Sequence, residues 1–163
     1  MSTLLKSTKK TVLALMGWLL LAAPTAVQAQ FTYRTNADNT LTVTAYTGGD
    51  NNVLIPATID GLPVSSIGTN AFSSDNNLEG LTISASVTNI GADAFEGCPY
   101  LADIYFTGNV PTADATAFVS SPDATVYYAP STAGWNSTFD GLETIQDYFG
   151  YNTNADITLT ITY

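Results

Sequence analysis

The chain has 163 residues, 45% of them apolar or aromatic, with one cysteine and no histidine. Four basic residues stand against 14 acidic ones, which excludes the phosphate-neutralising contacts of a nucleic-acid binder and attraction to anionic lipid. A single Cys98 excludes an internal disulfide, so packing must hold the fold.

Residues 1–29 read as a secretory signal peptide. Lys6, Lys9 and Lys10 form a basic start and Thr11–Ala23 an apolar stretch. Pro24 breaks that stretch, and Val27 and Ala29 place small residues at a cleavage site. The stretch is too short for a membrane span, which needs ~20 residues. Cleavage after Ala29 would leave one domain's length of chain with Arg34 as its sole cation. The acids are scattered among Asn, Thr, Ser and Gly, which suits solubility outside a cell. The expected location is secreted or cell surface, with no membrane insertion after cleavage.

Residues 30–52 predict a β-hairpin acting as an N-terminal cap. In "FTYRTNADNTLTVTAYTG" (31–48), the turn falls near Asn36–Asn39. A repeat follows over 53–128. "SSIGTNAFSSDNNLEGLTI" (65–83) aligns with "TNIGADAFEGCPYLADIYF" (88–106) at a constant offset of 23. Ile67-Gly68 falls on Ile90-Gly91, Ala71-Phe72 on Ala94-Phe95, and Leu78, Leu81 and Ile83 on Leu101, Ile104 and Phe106. A third copy over 111–128 keeps the offset at Ala117-Phe118, but Val126-Tyr127-Tyr128 arrives one residue early.

A period of 23 is that of one solenoid coil. Leu-x-x-Leu-x-Ile predicts a short parallel strand with alternate residues inward. Phe72, Phe95 and Phe118 would stack as a ladder on the opposite wall, with short helical turns near the Ala-Phe positions. Gly68 and Gly91 would turn the chain where a Cβ is crowded. One coil cannot bury its own apolar face, so neighbours must stack, here about three. Cys98 sits between Phe95 and Leu101 without a second cysteine or a histidine to activate it. It reads as a small buried apolar residue rather than a reactive thiol or metal ligand.

These positions resemble a known family. Ile55-Pro56, Ile67-Gly68, Ala71-Phe72, Ile90-Gly91, Ala94-Phe95, Cys98 and Leu101 fit the pattern Ile-Pro-x-x-(Val/Ile)-x-x-Ile-Gly-x-x-Ala-Phe-x-x-Cys-x-x-Leu-x-x-(Ile/Val). That is the pattern of the BspA-type leucine-rich repeat family of bacterial secreted and surface proteins. Ile83-Ser84 departs by lacking the proline, and Asp114 stands where the third copy's Gly would fall. The resemblance covers about residues 53–128. It implies a right-handed, β-rich leucine-rich-repeat solenoid of short parallel strands. It identifies a scaffold rather than a task, although for host-associated members it implies protein binding or adhesion.

Residues 129–148 read as a C-terminal cap or linker, with Trp135 and Phe139 as apolar plugs. "FGYNTNADITLTITY" (149–163) parallels 31–48. It reads either as the start of a truncated second module or as a strand pairing beside the solenoid.

No enzyme is expected. The commonest general base is missing, and there is neither a Gly-x-Ser-x-Gly elbow nor a phosphate loop. Asp93 with Glu96 is the nearest approach to a carboxylate pair, on a coil bend. No cofactor is expected. Calcium is the metal that "TGGDNN" (47–52), "SSDNN" (73–77) and "TNADN" (35–39) would take, but none alternates Asp-x-Asp-x-Asp. Asn and Asp at turns usually serve the backbone instead.

The remaining surface is the strand face. The central strand residues Thr82, Tyr105 and Tyr127 would point outward in one row, with Glu79 and Asp103 on the same face. Exposed tyrosine is a favoured contact residue, and it also serves to cover neighbouring apolar surface. The expected function is an extracellular, non-catalytic binding or adhesion module for a protein or glycan. The alternatives are a structural spacer in a larger tandem surface protein and a carbohydrate-binding or carbohydrate-processing accessory.

Overall fold

A computed structural model describes residues 30–121 and 124–147. The expected signal peptide and the expected second module at 149–163 lie outside these residues.

β1 (Phe31–Thr35) and β2 (Leu41–Tyr46) form the antiparallel hairpin expected at the N-terminal end of the repeats. Side chains tie its turn. The Asn36 N–H donates to Thr40 O at 2.8 Å, and Asp38 Oδ1 accepts from the Thr40 N–H at 3.1 Å and hydroxyl at 2.7 Å. Asn39 adopts φ 63°, a left-handed conformation that Asn tolerates. β2 pairs in parallel with β5 (Leu62–Ile67), which continues through β7 (Asn89–Ile90) to β9 (Thr112–Ala113). This is the first sheet.

The second sheet runs, in spatial order, β3 (Asn52–Ile55), β6 (Gly80–Ile83), β8 (Asp103–Phe106), β10 (Thr125–Tyr128) and β12 (Leu142–Gln146), all parallel. β4 (Thr58–Ile59) folds back on β5, and β11 (Thr138–Phe139) folds back on β12. Each of these two hairpins turns on Asp-Gly. Asp60, Gly61, Asp140 and Gly141 all have positive φ, as a two-residue type I′ turn requires.

Coils alternate between the sheets, so the apolar positions of both walls face a shared core. Leu81 pairs with Ile104 and Ile104 with Val126. The early arrival of the third strand is thus a true shortening of its coil. On the wall opposite the second sheet, Phe95 is fully buried between Phe72 and Phe118, with ring centroids at 5.0 and 5.1 Å. Tyr46 extends the ladder, 5.3 Å from Phe72. The ring spacing is close to the ~4.8 Å between strands, so each coil contributes one rung. Gly91 permits this close stacking, because a Cβ there would lie 2.8 Å from Thr69 N and 3.0 Å from the Gly68 carbonyl carbon.

The expected short helical turns are a correction: the described residues contain no helix. Near Ala-Phe the amides alternate between two kinds of partner. Ala71 and Ser73 donate back three residues, to Gly68 O and Asn70 O. Asn70, Phe72 and Ser74 donate to the next coil, at Ala92 O, Ala94 O and Glu96 O. Asn70 and Ser74 have φ 57° and 61°, which no right-handed helix accommodates. Bonds between coils have displaced the helical ladder.

The segment expected as a cap or linker carries β11 and β12, and β12 adds a strand to the second sheet. Trp135 stacks on Tyr128 at 5.0 Å and lies 4.9 Å from Phe106, while Phe139 meets Phe106 edge-on at 5.4 Å. Within the stack, the Phe95 N–H donates to Ala117 O of the following coil at 2.8 Å. In the last ladder coil the corresponding Phe118 N–H is met by the Asp140 carboxylate. Burial pushes that carboxyl above its usual range, opposed by the Phe118 bond and reinforced by the nearby Asp114 charge.

Candidate functional site: the outer face of the second sheet

The face follows from strand alternation. Leu81, Ile83, Ile104, Phe106 and Val126 are buried, so the residues between them point away from the core. Because the strands pair in register, those residues form rows. One row is Leu54, Thr82, Tyr105, Tyr127 and Ile145, one residue per strand. Thr82, Tyr105 and Tyr127 therefore stand together, as the sequence predicts. Leu54 and Ile145 extend the row at its two ends and are 46% and 42% exposed.

The Tyr105 and Tyr127 rings stack at 4.9 Å with their planes 16° apart. Their faces are turned toward each other along the row, so the ring edges face outward. A recess of about 150 Å³ lies beside them, bordered by Thr107, Tyr128, Ala129 and Asp147.

A second outward row runs Asn52, Gly80, Asp103, Thr125 and Glu143. Asp103 is half-buried and Glu143 exposed. Glu79, immediately before β6, is exposed, and its Oε1 accepts from Asn51 Nδ2 at 2.8 Å. Acidic side chains thus border the apolar row on this side. Sequence reading missed Leu54, Ile145, Glu143 and Asp147. A signal for the last three was present: "TFDGL" (138–142) echoes "TIDGL" (58–62), and both are Asp-Gly hairpins leading into sheet strands.

The other candidates lie away from this face. Cys98 is fully buried, its Sγ donates to Phe72 O at 3.2 Å, and burial pushes the thiol up to about 11. A thiol held protonated in this way is a poor nucleophile. Asp93 and Glu96 lie half-buried on the turn wall, where Asp93 has φ 55°. In the loops considered for calcium, Asp38 Oδ1 and Asp75 Oδ1 accept from the Thr40 and Asn77 amides of their own turns. Among the described residues no group of three His, Cys, Asp or Glu is placed to hold a metal ion, and no helix is long and apolar enough to cross a membrane.

The family model of the BspA type leucine rich repeat region matches residues 51–134, in six copies. Among solved structures, the chain is similar to a leucine rich cell surface protein from Faecalibacterium prausnitzii A2-165. The two share 26% identity with a TM-score of 0.53, over 72% of this chain and 30% of that one. It is also similar to a leucine rich repeat protein from T. pallidum, at 25% identity and a TM-score of 0.50, over 72% of this chain and 62% of that one. The chain therefore spans less than two thirds of either protein. No curated protein matches it.

Proposed function

The chain belongs to the BspA-type leucine-rich repeat family, and on that premise we propose that it is an exported, non-catalytic module that binds protein through the outer face of its second sheet. The observation that carries this reading is the continuous outward row from Leu54 to Ile145 with the Tyr105–Tyr127 stack at its centre. Apolar and aromatic surface of this kind, rimmed by polar groups, is characteristic of contact sites. The leader-like residues 1–29 and the likeness to a bacterial cell surface protein support export. We read the coil as right-handed, in keeping with the general hand of parallel crossovers. The β1–β2 hairpin serves as its N-terminal cap, supported by its place at one edge of the first sheet.

The stacked rings favour a protein over a glycan. Sugar platforms turn an aromatic face to solvent, whereas the Tyr105 and Tyr127 rings stack along the row and present their edges outward. The test is capture from immobilised matrix proteins and polysaccharides, comparing the wild type with a Tyr105→Ala/Tyr127→Ala variant, both shown to be folded by circular dichroism. Capture of a protein by the wild type alone is expected, with a loss of about 2 kcal/mol or more for a central aromatic pair. Equal capture by the variant would move the site elsewhere. Capture by polysaccharide alone would favour the carbohydrate accessory, and no capture by either chain would favour the spacer.

A further inference from the structure

The charges bordering the apolar row narrow its partner. Resting on the placement of the binding surface on this face, we infer that the face takes a basic polypeptide segment, one whose apolar stripe is bordered by Lys or Arg.

The row crosses five strands and is about 19 Å long at ~4.8 Å per step. About 13 residues of helix cover that length. Asp103 stands two residues before Tyr105 on β8, and Glu143 two before Ile145 on β12, a distance of ~6.7 Å along each strand. Glu79 stands at the head of β6 on the same side, and Asp147 borders the recess on the other. Arg34, the one Lys or Arg among the described residues, lies on β1 of the first sheet. No basic side chain of the described chain therefore borders the row.

A Lys or Arg stem suits this spacing. It lays its methylenes along apolar surface while its charged head reaches the acids 6–7 Å away. An acidic segment with the same apolar stripe would meet like charges at Glu79, Asp103 and Glu143 and be rejected. Apolar anchoring supplies attachment, and the flanking charges supply selection.

The test uses the chain from Gln30 to Tyr163 and three labelled peptides of about 15 residues. All three carry Leu at helical spacing, and their remaining positions are Lys, Gln or Glu. Binding is followed by fluorescence anisotropy. The Lys peptide is expected to bind roughly ten-fold more tightly than the Gln peptide at ~0.05 M salt, and the Glu peptide not at all. The advantage should vanish toward ~1 M salt, where the screening length is ~3 Å. Asp103→Asn/Glu143→Gln should abolish the advantage, and Tyr105→Ala/Tyr127→Ala should abolish binding. Asp93→Asn/Glu96→Gln removes the same charge from the turn wall and should leave the advantage intact. Equal binding of the Lys and Gln peptides would overturn the inference while leaving the apolar row as a binding surface. An equal loss with the turn-wall variant would reduce the effect to net charge and also overturn it. If no peptide binds, the basic partner is wrong, and the capture experiment then judges the binding reading by itself.

Discussion

Phe95 is the rung on which the ladder argument can be tested quantitatively. Its ring is fully buried and stacked on both faces, 22° from Phe72 and 7° from Phe118. Phe95→Leu keeps most of the buried apolar surface but removes both stacks. Each stacked pair contributes ~0.5–1.5 kcal/mol beyond burial, and the change of shape adds less than ~1.5 kcal/mol. A loss of about 1–4.5 kcal/mol is expected, a large share of the ~5–15 kcal/mol that a domain has in total. Phe118→Leu loses one stack and part of an edge contact with Phe139 at 6.2 Å, so it should cost less. Double-mutant cycles sharpen the test. Phe72→Leu with Phe95→Leu, adjacent rungs at 5.0 Å, should show a coupling of ~0.5–1.5 kcal/mol. Tyr46→Leu with Phe118→Leu, three rungs apart and with no ring partner in common, should be additive within ~0.5 kcal/mol. Urea unfolding followed by circular dichroism and by Trp135 fluorescence gives the free energies, and coincident transitions validate two-state analysis. Coupling as large between distant rungs as between adjacent ones would refute nearest-neighbour stacking of the coils. Absence of coupling in both cycles would refute the energetic role of the ring stacks.

Two further predictions concern titration. Burial raises the Cys98 thiol from 9.0 to about 11, so between those values the folded chain holds a proton that the unfolded chain has released. The stabilisation is complete below about pH 9 and is lost as pH rises toward about 11. The stability difference between wild type and Cys98→Ala, from urea midpoints, should therefore shrink across that window, and a thiol reagent should react no faster than the chain unfolds. A constant difference, or rapid labelling of the native chain, would contradict the burial. The Asp140 carboxyl is likewise raised by burial, so its contribution is greatest below the ordinary carboxylate range and declines as pH rises through it. Asp140→Asn retains the left-handed turn and an oxygen for the Phe118 N–H. It should match or exceed wild type in thermal stability near neutral pH and titrate less on acidification. A wild type that gains on the Asn variant as pH rises would refute this account of the coil end.

The inward pattern was legible because every coil must solve the same packing problem. Phe72, Phe95 and Phe118 recur at one spacing, as do the Leu and Ile positions facing them, and the ladder and strands form where that spacing puts them. Two strands were hidden for definite reasons. β12 carries Thr144 on its inward side, opposite Val126, and Ile145 outward, so alternation read from hydrophobicity alone assigns it to the wrong face. β3 precedes β6 by more than one period, Leu54 pairing with Thr82. The extra residues are accommodated by the hairpin through Asp60 and Gly61. The helical turns failed because hydrogen bonds between coils are non-local. Nothing in "GTNAF" (68–72) shows that alternate amides will be claimed by a neighbouring coil.

The short third coil explains how the outer face keeps its order. Phe118 holds the ladder step at 5.1 Å from Phe95, and Tyr127 holds the row step at 4.9 Å from Tyr105, although one residue is missing between Phe118 and Val126. The loss falls between Phe118 and Thr125, and both walls keep their register. A slip of one residue within β10 would instead bring the fully buried Val126 to the surface and drive Tyr127 into the core. Core packing thus sets the positions of the outer row through Leu81, Ile104 and Val126, while Thr82, Tyr105 and Tyr127 between them contribute little to it. Beyond the ~0.5–1.5 kcal/mol of the Tyr105–Tyr127 stack, substitutions on such a surface usually change stability by less than ~0.5 kcal/mol. The repeat can therefore hold its scaffold while the identity of the row varies, so under the proposed function the recognition chemistry would reside in residues that the repeat pattern does not constrain.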